Sequence, residues 1–495
     1  MKVHLMYCDS DFEKDLKITP HQLILIQDLE LDRLFGAMAK DDKIILEVVK
    51  KAVLNSLEKK EEILYRQDIL KDCIRNPAVI RKLYTIAATA LERKKKTWWS
   101  VSSMYLSSIL SGSVELLQIF AEMLREIRDI AGEQEGKFQS KGFTALFSMM
   151  KEELNDDYMS VMEKYLEELR FQEGILISAR LGNYNQGVQY VLRSEKSTKH
   201  RWLKWSFAPS YTIAPRDDSA STDLSKRQDR AINLTTNALA QSADHVLSFF
   251  MMLQAELAFY VGCLNLYEQL SGKGEPVVFP VPYDCHDRRF SVKGLYDVSL
   301  SLALKERVVG NHIHGDGKGL VIITGANQGG KSTFLRSAGQ AQLMMQCGMF
   351  VPAEDFGANI CTGVFTHFKK EEDSGMKSGK LDEELARMND IVNEIRSNAF
   401  ILFNESFAST NEKEGSEIGR QIVRALLEKQ IKVFFVSHLY DFSHGFYEQR
   451  TDNILFLRAQ RHSDGNRTFC LDEGEPLPTS YGEDIYNKIF DRANT

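Results

Sequence analysis

Val321-Ile-Ile-Thr-Gly-Ala-Asn-Gln-Gly-Gly-Lys-Ser-Thr333 is the stretch that decides the fold of this chain. Its β-branched start is typical of a short buried strand, and a helical pattern opens directly after its last residue. Gly325 and Gly330 bracket the loop between them, and Lys331 and Ser332 follow at once. This spacing is the phosphate-loop pattern, Gly-x4-Gly-Lys-Ser/Thr. We therefore predict a strand–loop–helix unit that binds a nucleoside triphosphate.

The residue types of this loop suit phosphate chemistry. Glycines let successive backbone N–H groups point at a phosphate, and the helix N-terminus adds the positive end of its dipole. Lys331 would reach the β- and γ-phosphate oxygens, Ser332 would bind Mg²⁺, and Thr333 would contact the α-phosphate. The predicted ligands are ATP and Mg²⁺, and the predicted nucleotide-binding residues are Gly325, Ala326, Asn327, Gln328, Gly329, Gly330, Lys331, Ser332 and Thr333.

Length and composition predict a soluble protein in a reducing compartment. A chain of 495 residues is expected to form two to four domains, and 26% charged residues are ordinary for a globular protein. The net charge of −7 argues against a generally basic nucleic-acid coat but leaves room for a local basic patch. The seven cysteines include no Cys-x-x-Cys spacing, so we expect reduced thiols.

The two segments that could be targeting or membrane signals do not fit those roles. Residues 1–10 lack the apolar region of a signal peptide. The most apolar segment, 246–266, carries Gln254 and Glu256 at its centre, which favours a core helix over a membrane span. We predict a cytoplasmic protein without membrane contact.

The chain divides by its hydrophobic pattern. Apolar residues recur at helical spacing over 106–127, and further helices are predicted at 151–170 and 225–270. Short strands are predicted at 174–180, 187–192 and 205–207. Prolines at 276, 280 and 282 mark a boundary, after which apolar strands at 320–324, 400–403, 433–436 and 453–457 alternate with helices. That alternation predicts a sheet with helices packed against it.

Three further segments belong with the phosphate loop. The strand 400–403 ends in Asn404-Glu405, where ABC-type P-loop ATPases have an Asp-Glu pair that holds Mg²⁺ and polarises the attacking water. The strand 433–436 leads to His438, where such enzymes keep a γ-phosphate sensor. Between the phosphate loop and the strand 400–403, Ser378 lies in a small, flexible stretch that could face a phosphate on a second subunit. We take Glu405 and His438 as catalytic, and Ser332 and Asn404 as metal-binding.

With these segments in place, residues 275–460 resemble the ATPase domain of the MutS family of DNA mismatch-repair proteins. The matching segments are 324–336, similar to the family's TGPNMGGKSTYLR; 347–354, similar to IGSYVPAE; 309–313, similar to the loop beside the adenine; 409–411 with Gly415, similar to TSTxDG; and 435–438, similar to FATH. Through the third of these, Asn311 joins the predicted nucleotide site. The helical region before 275 resembles the family's core and lever helices more weakly.

The resemblance implies a multidomain fold, an α-helical core and lever region followed by an α/β ABC-type P-loop ATPase domain. The predicted limits are an N-terminal segment of undefined structure at 1–60, a mainly helical region at 61–274 with a small β insertion near 172–215, and the ATPase domain at 275–495. It further implies a DNA-binding ATPase that works as a dimer through its ATPase domain, on mismatched or branched DNA.

Departures from the family pattern modify these expectations. Asn404 stands where the family has the Asp of its Asp-Glu pair, and a neutral amide leads us to expect slow hydrolysis. Ala326 and Gln328 replace Pro and Met and leave the phosphate cradle intact. The loop around Ser378 matches only approximately, with Gly379-Lys380 where the family has Thr-Phe.

Two features bear on DNA. Residues 1–60 leave no room for the family's mismatch-reading domain, and the Phe-x-Glu motif at 446–448 is interpreted as coincidental, so we expect branched DNA to be the better ligand. Residues 180–204 carry six Lys or Arg against one acid, with interleaved aromatic residues. Such a segment could bind DNA or could be a solvated basic hairpin.

Two other functions remain open on the sequence. An ATP-binding switch or scaffold that scarcely hydrolyses is favoured by Asn404. The motor subunit of an ABC transporter is disfavoured by the match at 347–354 and by the long helical region that precedes the ATPase motifs.

Overall fold

A computed structural model describes residues 1–99, 106–134, 136–172, 174–193, 210–370, 379–462 and 466–478. The chain is multidomain and α-rich with mixed sheets, as predicted at that level. It forms two compact units, one of Met1–Val3, Ala78–Gln139 and Phe143–Leu257, the other of His4–Pro77, Ser140–Gly142 and Ala258–Thr495. The domain limits inferred from the sequence stay a prediction.

The first unit is mainly helical. Its elements are α5 (Pro77–Trp99), α6 (Leu106–Glu133), α7 (Lys141–Glu153), α8 (Asp156–Glu168), a hairpin of β1 (Ile177–Leu181) and β2 (Gly187–Leu192), and most of α9 (Asp218–Gly272). The apolar stripe predicted at 106–127 lies in α6, where Leu117, Phe120 and Leu124 are buried. The predicted periodicity is therefore that of a core helix.

The second unit begins with four helices and continues after α9 with two sheets. The helices are α1 (Pro20–Asp28), α2 (Leu31–Ala39), α3 (Lys43–Leu54) and α4 (Lys60–Arg75). The other elements are β3 (Val281–Tyr283), β4 (Phe290–Leu295), α10 (Val298–Ala303), β5 (Asn311–His314), β6 (Leu320–Gly325), α11 (Lys331–Gln346), β7 (Asp355–Asn359), β8 (Val364–Phe368), α12 (Lys380–Glu394), β9 (Phe400–Asn404), α13 (Glu412–Glu428), β10 (Lys432–Val436), α14 (Tyr440–Tyr447), β11 (Ile454–Arg461) and β12 (Arg467–Glu473).

The six-stranded sheet carries the predicted site. Its strand order is β12-β11-β6-β10-β9-β8, and only β12 runs antiparallel to its neighbour. Every residue of β8 and β10 is buried, which is typical of parallel strands covered on both faces. Because β6, β10 and β9 are adjacent and parallel, the loops at their carboxyl ends lie side by side, the usual ligand position in such sheets.

A second sheet was not anticipated. Its four strands have the order β3-β7-β4-β5. β3 pairs in parallel with β7, from Val281 opposite Gly357, while β4 pairs antiparallel with both β7 and β5. The pairings with β7 join segments more than 60 residues apart, so no local sequence pattern predicts this sheet.

The structure confirms some of the predicted helices and strands and contradicts others. Strands at 320–324, 400–403, 433–436 and 453–457, and the helix at 225–270, are confirmed. The single helix predicted at 151–170 is wrong, because Asn155 caps a new helix by accepting the Tyr158 N–H and thereby separates α7 from α8. The strand at 174–180 begins later, at Ile177, and the one predicted at 205–207 lies outside the described residues.

The long helix α9 contains the apolar segment predicted to be a core helix. Among the described residues it alone is long and apolar enough to cross a membrane, judged by length and composition. Its most apolar window is 67% buried within the protein, and Glu256 in that region is fully buried. The absence of membrane contact stays a prediction.

Candidate nucleotide site

The phosphate loop joins β6 directly to α11. Gly325 and Gly330 have φ angles of +101° and +89°, in the left-handed region that favours glycine. A Cβ added to Gly329 would lie 2.7 Å from the Ala459 Cβ and 2.8 Å from the Ala326 carbonyl oxygen. The three glycines are therefore required by backbone conformation and by close packing.

Lys331 is the first residue of α11 and is almost fully buried. Its Nζ donates to the carbonyl oxygens of Gly325 at 2.8 Å and Ala326 at 3.0 Å, so the ammonium lies inside the curve of the loop. Burial lowers the pKa of Lys331, whereas the negative charge of Glu405 opposes that shift. The loop thus holds one buried cation where phosphate oxygens would bind.

Ser332 and Asn404 meet across the sheet. The Ser332 hydroxyl donates to the Asn404 Oδ1 at 2.9 Å, which joins the start of α11 to the end of β9. The two residues lie 72 positions apart in sequence. The pair chosen from sequence as metal ligands is therefore brought together.

Glu405 and His438 also lie close to each other. The His438 Nδ1 is 4.0 Å from the Glu405 Oε2, and each side chain is about one-third exposed. Glu405 has a φ of +54°, and its backbone N–H donates to the Val436 carbonyl at 2.9 Å, which ties it to the end of β10. A water-exposed carboxylate and an imidazole therefore face the same end of the sheet.

Strand β12 adds two residues that sequence reasoning missed. The Arg467 Nε donates to the Asn327 carbonyl at 3.2 Å, and its charge contributes to the lowered pKa of Lys331. The Phe469 carbonyl oxygen lies 3.2 Å from where a Gly330 Cβ would be. No sequence motif marks Arg467 or Phe469. The one sequence feature that could have indicated them is the antiparallel hairpin that follows β11.

Asn311 is held by the same strand. Its Nδ2 donates to the Phe469 carbonyl at 3.3 Å, and its Oδ1 accepts the Leu471 N–H at 2.8 Å. The side-chain amide thus anchors β12 next to the loop, while contact with an adenine stays a prediction. Two other predicted nucleotide-binding residues lie where the motif places them. Gln328 is in the loop with a φ of +58°, and Thr333 is half-buried in the first turn of α11. Ser378, also predicted to bind the nucleotide, lies outside the described residues.

Two parts of the chain match models of known protein families. One family model, described as the MutS2 N-terminal domain, matches residues 58–273, and another, MutS domain V, matches residues 321–485. The chain belongs to the MutS family. The motifs that first indicated this family, from the phosphate loop to His438, fall within the match to domain V.

Individual relatives are distant. The DNA mismatch repair protein MutS of Leuconostoc mesenteroides is 22% identical over 431 residues, 80% of this chain and 49% of that protein. MutS of Thermus aquaticus is 31% identical over 122 residues, 25% of this chain and 15% of that protein. MutS protein homolog 4 of Mus musculus is 28% identical over 152 residues, 31% of this chain and 16% of that protein. The chain spans about half, or less, of the length of these MutS-family relatives.

The residues of this MutS-family site fit a nucleotide with Mg²⁺. The cradle is closed to any side chain at Gly329, so only backbone lines it there. Hydroxyl and amide oxygens, which Ser332 and Asn404 bring together, are ligands that Mg²⁺ accepts. One charge is lacking, because Asn404 is neutral where a carboxylate would complete the usual donor set.

Proposed function

We propose that this chain is a DNA-binding ATPase of the MutS family that couples ATP binding and slow hydrolysis to a conformational change on DNA. The observation that carries the proposal is the bond between Ser332 and Asn404, beside the buried Lys331. It joins two predicted motifs at the carboxyl ends of parallel strands in one sheet. Residues 275–495 would then be an ABC-type P-loop ATPase domain.

Each residue of the site has a role in this proposal. The N–H groups of the loop and Lys331 would bind the phosphates, and Glu405 would orient the attacking water. His438, 4.0 Å from Glu405, would sense the γ-phosphate. Ser332 and Asn404 would hold Mg²⁺, which, when bound, neutralises charge on the phosphate oxygens.

A dimer is part of the proposal. In ATPases of this type the partner's signature loop completes the site, and residues around Ser378 are the candidates in this chain. We expect two copies to associate through their ATPase domains in an ATP-dependent manner, and sedimentation with and without ATP would reveal this.

DNA is the proposed partner on the strength of the relatives, several of which are named as DNA mismatch repair proteins. Phe446, the aromatic residue of the Phe-x-Glu motif, is 2% exposed and packs against Phe442, so it is not available as a wedge. We expect branched DNA to bind better than a single mispair. Of the basic residues at 180–204, Arg180 lies in β1 and Arg193 directly follows β2, and those from 194 onward lie outside the described residues.

A direct test is to measure the binding of matched duplex, single-mispair duplex and four-way junction to the protein, each with and without ATP. The proposal predicts that ATP changes the affinity for DNA and that the junction binds best. Strong and selective binding of the mispair would refute the preference for branches. DNA affinities that ATP leaves unchanged would refute the coupling.

A second candidate function rests on Asn404. A neutral amide beside Ser332 should hold Mg²⁺ less firmly than a carboxylate, which favours a switch or scaffold that binds ATP and scarcely hydrolyses it. Tight ATP binding, a dimer, and turnover indistinguishable from background would support this alternative.

A further inference from the structure

The backbone that follows β9 is strained in two places. Glu405 and Phe407 have φ angles of +54° and +62°, in the left-handed region that side chains other than glycine rarely adopt. Each such residue costs about 1–2 kcal/mol and persists only when its surroundings hold it. The strain lies at the proposed water-orienting residue, so what holds this segment also sets the direction of the Glu405 side chain.

His367, on β8, is one of the groups that hold it. Its Nδ1 is 2.7 Å from the Ser406 Oγ, its Nε2 is 3.0 Å from the Glu384 carbonyl oxygen, and its ring stacks on Phe407 at 5.2 Å. Burial lowers the pKa of His367 to about 4, so the ring is neutral at pH 7. The Nε2–H therefore donates to the Glu384 carbonyl oxygen. The single proton of the Ser406 hydroxyl is shared between two acceptors of the same residue, the His367 Nδ1 and the His367 carbonyl oxygen at 2.6 Å.

Glu384, on α12, is the second group that holds the segment after β9. Its side chain is 3% exposed, and its two carboxylate oxygens are both used. Oε2 accepts the Phe407 backbone N–H at 2.9 Å, and Oε1 accepts the Ser409 hydroxyl at 3.1 Å. Burying a carboxylate is costly unless it is hydrogen-bonded. Here one bond goes to the strained Phe407 and the other to Ser409, two residues further on.

We propose that Glu384 is a positioning residue for Glu405. Its carboxylate fixes the amide of Phe407, the stack of His367 on Phe407 fixes the ring, and together they keep residues 405–407 in the conformation that directs Glu405 toward the phosphate loop. This rests on the proposed function, in which Glu405 orients the attacking water.

The test compares two substitutions of nearly equal size. Glu384→Met removes both acceptors, whereas Glu384→Gln keeps an oxygen for the Phe407 N–H and offers its amide to the Ser409 hydroxyl, which can also accept. We expect Glu384→Met to lower kcat roughly 10- to 100-fold, the size of effect that misplacing a catalytic group has. The Kd for ATP should stay within about twofold, and Glu384→Gln should restore most of kcat.

Glu394→Gln, an exposed carboxylate on the same helix, is the matched control and should turn over like the parent. If Glu384→Met has the kcat of the parent chain, the proposal is overturned. It is also overturned if Glu384→Met loses kcat and ATP affinity by the same factor and Glu384→Gln restores neither. If the Met variant does not fold, Ser406→Ala decides, since it loosens the contact to His367 and should lower kcat several-fold with ATP affinity unchanged. Unchanged kcat there overturns the proposal.

The parent chain and Glu405→Gln are assayed alongside. If neither hydrolyses ATP, the proposed function fails and the positioning role fails with it. If turnover depends on Glu405 but not on Glu384, only the positioning role fails.

Discussion

The phosphate loop and the segment after β9 solve the same conformational problem in different ways. Both need backbone in the left-handed region, which the loop mostly supplies with Gly325 and Gly330. The segment after β9 places Glu405 and Phe407 there and relies on distant side chains to hold them. One conformation is encoded locally, and the other is enforced by tertiary contacts, so the two should respond differently to mutation.

The largest effect is expected in the loop. Lys331→Ala should abolish tight ATP binding, because no other side chain within 325–333 can place a cation on the β- and γ-phosphate oxygens. Titration with a fluorescent ATP analogue measures this. An affinity equal to that of the parent chain would remove the foundation of the proposed site.

The segment after β9 gives a sharper comparison through stability. Phe407 is fully buried, so Phe407→Ala should lower the free energy of unfolding by about 3–5 kcal/mol. Phe407→Gly loses the same ring but adopts the positive φ without strain, so it should be at least as stable as the Ala variant. Chemical denaturation of both variants measures this, and a Gly variant clearly less stable than Ala would contradict the strain.

His367 makes the stability of the molecule depend on pH. Its pKa of about 4 lies below the ordinary 6.5, so between these values the unfolded chain binds a proton that the folded chain does not. Stability from this group is therefore full above pH 6.5 and falls on acidification, by about 2 kcal/mol at pH 5. Burial is the main cause of the lowered pKa, the hydrogen bond to the Glu384 carbonyl oxygen opposes it, and the positive charges of Arg387 and Lys370 lower the pKa further.

The measurement is the denaturation midpoint of the parent and of His367→Gln at pH 7 and pH 5. The other titrating groups are common to both chains and cancel in the comparison. If both chains lost the same free energy of unfolding between pH 7 and pH 5, burial would not be lowering the pKa of His367.

The smallest effect is expected at Asn404. Asn404→Asp supplies the missing charge, so half-saturation with Mg²⁺ should shift to lower concentration and turnover should rise several-fold. Steady-state ATPase rates across a Mg²⁺ titration measure both. An unchanged Mg²⁺ dependence would mean that this position does not contact the metal.

The same contrast explains what the sequence could predict. The loop and the strands β6, β9 and β10 were predicted because their patterns are local, and Ser332 met Asn404 because parallel strands align their carboxyl ends. The bonds of Glu384 to the segment after β9 span 23 and 25 residues, and no periodicity encodes them. Arg467 was missed for the same reason, since only the pairing of β12 with β11 brings it to the loop.

The proposed role of Glu405 in ATP hydrolysis is tested by comparing ATP turnover by the parent chain and by Glu405→Gln under identical conditions. A group that activates water typically contributes about 10²–10⁴-fold to the rate. We predict that Glu405→Gln loses turnover by that factor and still binds ATP as tightly as the parent chain. Equal hydrolysis rates in the two proteins would show that Glu405 does not activate the attacking water.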